Sequence, residues 1–145
     1  RNGPASGPCA LCGTTEDADH AFFRCSLARF AWSAVREAAG VEWDPRSHFV
    51  LLSSLSLVQG TARRVMWTCA AAMLWAIWHI RNKFTIEGVF PSHPADVIFK
   101  CIVFLQQWAS LGRQQDSDLH RQAICRLHAV YSEARAPSPA QLGAA

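Results

Sequence analysis

Three cysteines and one histidine near the start of the chain constrain its fold more than any other feature. They are Cys9, Cys12, His20 and Cys25, in the order C-x2-C-x7-H-x4-C. Three thiolates and one imidazole complete a tetrahedral shell for Zn²⁺ and leave no position open for water or substrate. A segment this short buries too little apolar surface to hold one conformation without a metal. The spacing therefore predicts one structural zinc ion bound by these four residues.

The thiols also allow an alternative, because cysteines can pair as disulfides. Three further cysteines, Cys69, Cys101 and Cys125, are scattered through stretches with helical periodicity. Cysteine often serves as a small apolar residue in such stretches, whereas a disulfide framework normally belongs to a secreted chain. We therefore favour zinc, and a disulfide-bonded extracellular domain ranks last among the functional classes.

The composition is that of a folded chain with a mild positive charge. Half of the 145 residues are apolar, 17% are charged, and the formal net charge is +3. Within the first 25 residues, two arginines face three acidic residues, so charge alone argues only weakly for nucleic acid. No apolar run reaches the roughly 20 residues that a membrane span needs. We expect an intracellular location, the nucleus included, and a fragment of a longer protein, since the chain begins at Arg1.

Apolar residues after Cys25 recur at three- and four-residue steps, which is the pattern of amphipathic helices. The expected helices lie approximately over 27–39, 48–58, 61–86, 95–111 and 117–134. A strand over 49–52 is an alternative, because so short an apolar run does not separate the two periods. The helix over 61–86 is apolar on two sides, as expected for a central helix packed by its neighbours.

The sequence thus predicts an all-α fold, in which a small CCHC zinc knuckle leads into a helical domain of about four to five helices. The zinc-binding segment and first helix occupy 1–40 in this division, and the helical domain occupies 41–134. The remaining segment, 135–145, is rich in proline and alanine and is expected to be a disordered tail.

Five aromatic residues lie where they can either pack in a core or stack on nucleic-acid bases. Phe22 and Phe23 separate the last two zinc ligands, and Trp32 follows on the first predicted helix. Trp75 and Trp78 belong to the third predicted helix. Aromatic side chains stack on bases in proteins that bind single strands, but they more often form the core beneath a zinc site or between helices. We expect core packing for all five.

No group of residues in the sequence indicates catalysis. The dispersed carboxylates have no strand context that would bring them together for two-metal chemistry. His120 and His128, with Cys125 between them, are eight residues apart, which on a helix is about 12 Å and too far for one ion. Neither a glycine-rich phosphate loop nor an activated nucleophile is present. We expect neither enzymatic activity nor a small-molecule substrate.

Two blocks of the sequence resemble a known family. The first block is Cys9-Ala-Leu-Cys12-Gly13, then Glu16, His20-Ala-Phe-Phe-Arg-Cys25, Ala28 and Trp32. The second is Trp75-Ala-Ile-Trp78-His-Ile-Arg81-Asn82-Lys83, continuing Thr85-Ile86-Glu87-Gly88, which is similar to a W-x2-W-x2-R-N block. In this order they resemble the zinc-binding domain that follows the reverse transcriptase of plant non-LTR (LINE-type) retrotransposons.

The resemblance implies a zinc-stabilised, non-catalytic module from the C-terminal region of a retroelement polyprotein. Such a module helps to bind template RNA or target DNA, and the remainder of the polyprotein is its other partner. From charge and position we add a hypothesis for the nucleic-acid contacts. The residues are Arg24, Arg29, Arg81, Asn82 and Lys83.

Two alternatives stay open at this point. Residues 81–83 can be only the solvated end of a helix. The chain can also be a zinc-stapled helical module that binds a protein, or a decayed retroelement fragment without a ligand. An exposed apolar face at Trp67 and Trp78, with no basic groove nearby, would support the protein-binding alternative.

Overall fold

The computed structural model of the protein describes residues 7–40 and 42–143, which form six α-helices. In chain order they are α1 (Ser26–Ala39), α2 (His48–Ser56), α3 (Gly60–Asn82), α4 (Asp96–Ala109), α5 (Ser117–Arg135) and α6 (Pro139–Leu142). Extended backbone among the described residues is paired at one isolated bridge, between Pro8 and Thr15. The predicted all-α class is confirmed, and the alternative strand at 49–52 is helical.

Local sequence explains several helix ends. α1 stops at Gly40, whose φ of +67° lies in the left-handed region that glycine adopts without strain. Ser47 caps α2, because its hydroxyl accepts a hydrogen bond from the Val50 amide at 3.2 Å. Ser26 and Thr61 lie inside the first turns of α1 and α3, so neither residue is the N-cap of its helix.

α3 is the central helix and contacts α1, α2, α4 and α5, with its most extensive packing against α4. Met73 and Ile77 on α3 have no exposed surface, and neither do Ile98 and Leu105 on α4. Fully burying an aliphatic side chain of this size contributes about 1.5–3 kcal/mol. The sequence-based expectation that the third helix is packed on several sides is therefore confirmed.

Two tryptophans of α3 lie at the surface, contrary to the expectation of core packing. Trp75 is 43% exposed and Trp78 is 40% exposed, so the prediction is wrong for both residues. Their rings stack on each other with centroids 4.9 Å apart. Each residue turns the helix by about 100°, which places both tryptophans on the side of α3 away from the buried Met73 and Ile80.

The C-terminal part of the described chain is helical beyond the fifth predicted helix. α5 extends to Arg135, and α6 follows after three residues. The expected tail at 135–145 thus overlaps the end of α5 and contains α6, while its last two residues lie outside the described residues. Among the described helices, none combines the length and the apolar character that crossing a membrane requires.

Candidate metal centre

The four predicted ligands converge at one point near the N-terminus. One donor atom each from Cys9, Cys12, His20 and Cys25 lies within 4.8 Å of the other three, a spacing at which the group could hold a metal ion. Cys9 and Cys12 come from a tight turn, whereas His20 and Cys25 flank a π-helical turn at His20–Arg24 that runs into α1. The sequence-based grouping of these residues is therefore confirmed, although they come from two separate turns.

The distances between donor atoms fit a tetrahedral ion. The Cys9 Sγ and Cys25 Sγ atoms are 3.7 Å apart, and Cys12 Sγ is 3.3 Å from His20 Nε2. A tetrahedron with metal–sulfur bonds of about 2.3 Å has sulfur–sulfur edges of about 3.8 Å. A disulfide would instead bring two sulfurs to about 2.05 Å. All six cysteines are free, so the disulfide alternative has no support.

A glycine turn holds the first two sulfurs. The Gly13 amide donates to the Cys9 carbonyl at 2.8 Å, and the Cys9 amide donates to the Thr14 carbonyl at 2.7 Å. Gly13 has a φ of +75°, a conformation that a residue with a Cβ atom adopts only with strain. The turn therefore closes because glycine directly follows Cys12.

Asp17 fixes the start of the segment that carries the other two ligands. Its carboxylate accepts a hydrogen bond from the His20 amide at 2.7 Å, and its carbonyl accepts one from the Ala21 amide. The same carboxylate forms two 2.7 Å bonds with the Arg24 guanidinium. The Cys25 amide then donates to the His20 carbonyl and closes the π-helical turn. Both ligands of this segment are thereby set on one short turn.

The surroundings of the three thiols lower the pKa of two of them and raise the pKa of the third. Hydrogen bonds from Thr14 lower the pKa of Cys12 to about 7. Burial raises the pKa of Cys9, but hydrogen bonds from the Leu11 amide and from His20 outweigh it, so the net shift is downward. Burial raises the pKa of the Cys25 thiol. Because metal binding requires deprotonated thiols, the lowered pKa values of Cys12 and Cys9 favour metal binding, whereas the raised pKa of Cys25 opposes it and the ion must displace that proton.

A buried arginine from the central helix lies beneath the metal centre. The Arg81 side chain is 7% exposed, and its Nη2 atom lies 2.6 Å from Glu16 Oε1. Burial lowers the pKa of this guanidinium, but Glu16 and the neighbouring Cys9 sulfur raise it by more. A divalent ion with three thiolates carries a net charge of −1, so a fixed cation beside it is favourable.

The burial of Arg81 counts against the phosphate contact expected from its sequence position. Its pairing with Glu16 was not predictable from sequence, because the two residues are 65 positions apart and no local pattern connects them. The sequence offers only an indirect signal that Arg81 is buried. Arg81 directly follows Ile80 in a strongly apolar helix, where a cation is buried only if it is paired.

Two further contacts attach the metal-binding segment to the helices. The Asp19 carboxylate accepts hydrogen bonds from the His48 amide at 3.0 Å and from the His48 ring at 2.9 Å. Phe23 is 4% exposed and stacks on Trp32, which is 1% exposed, at 5.7 Å. Trp32 Nε1 also donates to the Phe22 carbonyl at 2.8 Å. Core packing for Phe23 and Trp32 is therefore confirmed, and Phe22 packs against the same core while partly buried.

The other predicted nucleic-acid contacts fall into two places. Arg24 and Arg29 are exposed and line a shallow depression that also includes Cys12 and His20. Asn82 is partly buried and Lys83 is exposed, and both lie where α3 passes into a second π-helical turn, Lys83–Glu87. Of these four residues, the structure thus brings only Arg24 and Arg29 directly to the metal centre.

Residues that were excluded from metal binding stay apart from the site. His120 is buried on α5, whereas Cys125 and His128 on the same helix are exposed. Among the described residues, only the N-terminal cluster brings together at least three side chains that could hold a metal.

We also compared the chain with known protein families, curated proteins and solved structures, and no match was found in any of the three.

Proposed function

We propose that the protein is a zinc-stabilised module that binds nucleic acid and has no catalytic activity of its own. The observation that carries the proposal is the convergence of three sulfurs and one imidazole nitrogen within 4.8 Å. Zn²⁺ is the ion that most commonly takes this ligand set in proteins. The 3.7 Å sulfur–sulfur distance supports zinc because it matches the edge that Zn–S bonds require.

The role of the zinc is structural in this proposal. Four protein ligands leave no coordination position for a substrate or an activated water, which is the arrangement of structural rather than catalytic zinc. Three of the ligands are buried: Cys9 is 2% exposed, His20 is 5% exposed and Cys25 has no exposed surface. The zinc ion fixes the fold of the N-terminal segment that carries its four ligands. The cationic side chains beside this segment bind the nucleic acid.

Arg24 and Arg29 are the proposed phosphate-binding residues of the metal centre. Both line the depression beside Cys12 and His20, and a guanidinium can bind phosphate oxygens through two N–H groups. Asp17 holds Arg24 in place but also balances its charge. Arg29 forms no ion pair with any residue in the described part of the chain, so it contributes the larger share. Asn82 and Lys83 remain in the proposal, whereas Arg81 is left out because it is buried with Glu16.

A retroelement origin is part of the same proposal. It is supported by the order of the two sequence blocks, in which the C-x2-C-x7-H-x4-C ligands precede Trp75, Trp78, Arg81 and Asn82. In a plant LINE-type polyprotein such a module lies after the reverse transcriptase, and its ligand is RNA or DNA. The salt dependence of binding tests the nucleic-acid part of this proposal independently of ancestry.

The test is a salt titration of oligonucleotide binding by the zinc-loaded protein. Three contacts with a single strand, from Arg24, Arg29 and Lys83, predict a log–log slope of about −2. Replacing Arg29 with alanine should make the slope shallower by about 0.7. Arg121→Ala is the matched control, since Arg121 is 77% exposed on α5, away from the site. A slope near zero, or equal effects of the two variants, would contradict the proposal.

A second candidate function is protein binding through α2. This helix buries Leu51 and Leu55, but leaves Phe49 71% exposed and Leu52 48% exposed, and Leu57 after it is 83% exposed. Exposed apolar residues that cluster on one short helix commonly mark an interaction surface. This candidate predicts no oligonucleotide binding with zinc bound, together with self-association that Leu52→Asp abolishes in sedimentation velocity.

A further inference from the structure

The exposed side of α3 carries a continuous row of residues that we name the Trp stripe. The row is Arg63, Trp67, Ala71, Trp75, Trp78 and Asn82. Successive members are three or four residues apart, so they lie along one side of the helix. Trp67 and Trp78 are the first and last tryptophans of the row. They are eleven residues apart, which corresponds to about 16 Å along the helix axis.

The rings of the Trp stripe are accessible and already ordered. Trp67 is 38% exposed, and Trp75 and Trp78 are stacked while 43% and 40% exposed. Trp75 also meets the edge of Phe104 on α4 at 6.5 Å, and Phe104 stacks on Trp108 at 5.9 Å. These contacts hold the rings at the surface, so a planar ligand can stack on them without first ordering the side chains.

The charge around the stripe suits a polyanion. Residues 60–83 contain three arginines and one lysine; among the described residues Arg63 and Lys83 form no ion pair, whereas Arg64 and Arg81 are paired. Along α4 the one acidic residue is Asp96, at its first position and distant in sequence from Phe104. The two carboxylates that α3 contacts are both in ion pairs, Asp116 with Arg64 and Glu16 with Arg81. Glu87, four residues after Lys83, is exposed, but Arg63 and Lys83 together leave the row with a net positive charge, which attracts a phosphate backbone.

We propose that the Trp stripe binds the unpaired bases of a single-stranded nucleic acid. This inference rests on the proposed function and deepens it, because it names both the surface and the strand state of the ligand. Bases stack on Trp75 and Trp78, while Arg63 and Lys83 lie near the two ends of the row and contact phosphates. A duplex hides the faces of its bases within the stack and offers only phosphates to this surface.

The test compares fluorescently labelled oligo(U), oligo(dT) and a duplex of the same length on the full zinc-loaded chain. Trp75→Ala/Trp78→Ala should weaken binding of both single strands by about tenfold or more and leave the weak duplex binding unchanged. Trp75→Phe/Trp78→Phe keeps aromatic rings and should retain most of the affinity. Phe99→Ala is the matched control, because Phe99 is 49% exposed on α4 and packs on Tyr131.

The outcomes separate this inference from the proposed function. If the wild type binds single strands but the Trp75→Ala/Trp78→Ala variant binds equally well, the stripe is not the binding surface and the proposed function stands. If the wild type binds no oligonucleotide, both fail. If the substitutions convert a dimer to a monomer in sedimentation without affecting oligonucleotide binding, the stripe is a contact between copies, which also overturns the inference. Helical circular dichroism and zinc content confirm that each variant is folded.

Discussion

The metal-binding segment, residues 8–25, and the helical region from α1 to α5 maintain their structure by different means. The segment has few buried apolar residues of its own, and its turns depend on Gly13, on Asp17 and on four converging ligand atoms. The helical region buries a row of aliphatic side chains between α3 and its neighbours. We therefore expect the first region to depend on an ion, whereas the second depends on removing apolar surface from water.

The two regions nevertheless share contacts, which decide how far a change in one reaches the other. Phe23 and Cys25 of the segment belong to the same apolar core as Trp32 of α1. Glu16 reaches Arg81 of α3, and Asp19 binds the start of α2 through His48. We therefore expect loss of the metal to disorder the segment and loosen the start of α1 without unfolding α3 and α4.

Removing one zinc ligand should give the largest effect. Cys12 is exposed, so Cys12→Ser changes the coordination with little change in packing. Zinc affinity should fall by more than about 100-fold, because changes to residues that only support ligands already cost about 10- to 100-fold. Amide hydrogen exchange should accelerate in 8–25 while α3 stays protected. Cys125→Ser, also at an exposed cysteine, is the control and should keep about one zinc per chain.

Shortening one side chain in the helical core should have the opposite effect, which is lower stability with zinc binding retained. Ile77 has no exposed surface, and Ile77→Ala should lower the free energy of unfolding by about 2–5 kcal/mol. Because Ile77 lies outside the ligand set, the variant should still bind zinc stoichiometrically at low temperature. Chemical denaturation and zinc content together check both expectations. Equal loss of zinc and stability would mean that the two regions form one cooperative unit.

The ion pair between the regions should have a smaller effect that appears in both. Arg81→Met should destabilise the protein by about 1–3 kcal/mol, since it removes the ion pair but leaves Glu16 37% exposed and able to contact water. Zinc affinity should also fall, because the cation beside the thiolates is lost. A double-mutant cycle with Glu16→Gln measures the pair itself. Additive effects of the two substitutions would contradict the coupling.

The smallest effect should come from an ion pair within the helical region. The Arg64 guanidinium, 2.7 Å from Asp116, lowers the pKa of that carboxyl in the folded state. A lowered folded-state pKa stabilises the protein above the unfolded value of about 3.9, and this stabilisation disappears as the pH falls through the folded value. Asp116→Asn should therefore be less stable than the wild type at pH 7, with a difference that shrinks below about pH 4.

Zinc content should not change in Asp116→Asn, in contrast to stability. Asp116 lies far from the metal cluster in sequence and makes its ion pair within the helical region, so Asp116→Asn should bind zinc as the wild type does. Denaturation curves at several pH values, with zinc measured at pH 7, check both statements. A stability difference that grows on acidification would have the wrong sign for a lowered pKa.

Local patterns were enough to predict the helices and the ligand set. The three- and four-residue recurrence of apolar residues located the five long helices to within a few residues. The ligands were predictable because their residue types and short spacing allow few other uses. Both features are encoded within stretches of about twenty residues, over which sequence periodicity and spacing are informative.

Features that depend on distant parts of the chain were not predictable in the same way. Periodicity placed Trp75 and Trp78 on the third helix, but it does not reveal whether another helix covers them. Arg81 was predicted to contact nucleic acid because its partner, Glu16, lies far away in sequence, in the metal-binding segment. The same gap in information explains both errors, since burial is decided by tertiary neighbours.

The most direct test of the zinc centre is X-ray absorption at the zinc edge, measured on protein with a known zinc content. We predict about one zinc per chain with three sulfurs at about 2.3 Å and one nitrogen at about 2.0–2.1 Å. This shell should become nitrogen- or oxygen-rich in Cys12→Ser and remain unchanged in Cys125→Ser. A wild-type shell dominated by oxygen, or protein that folds fully without binding zinc, would contradict the account.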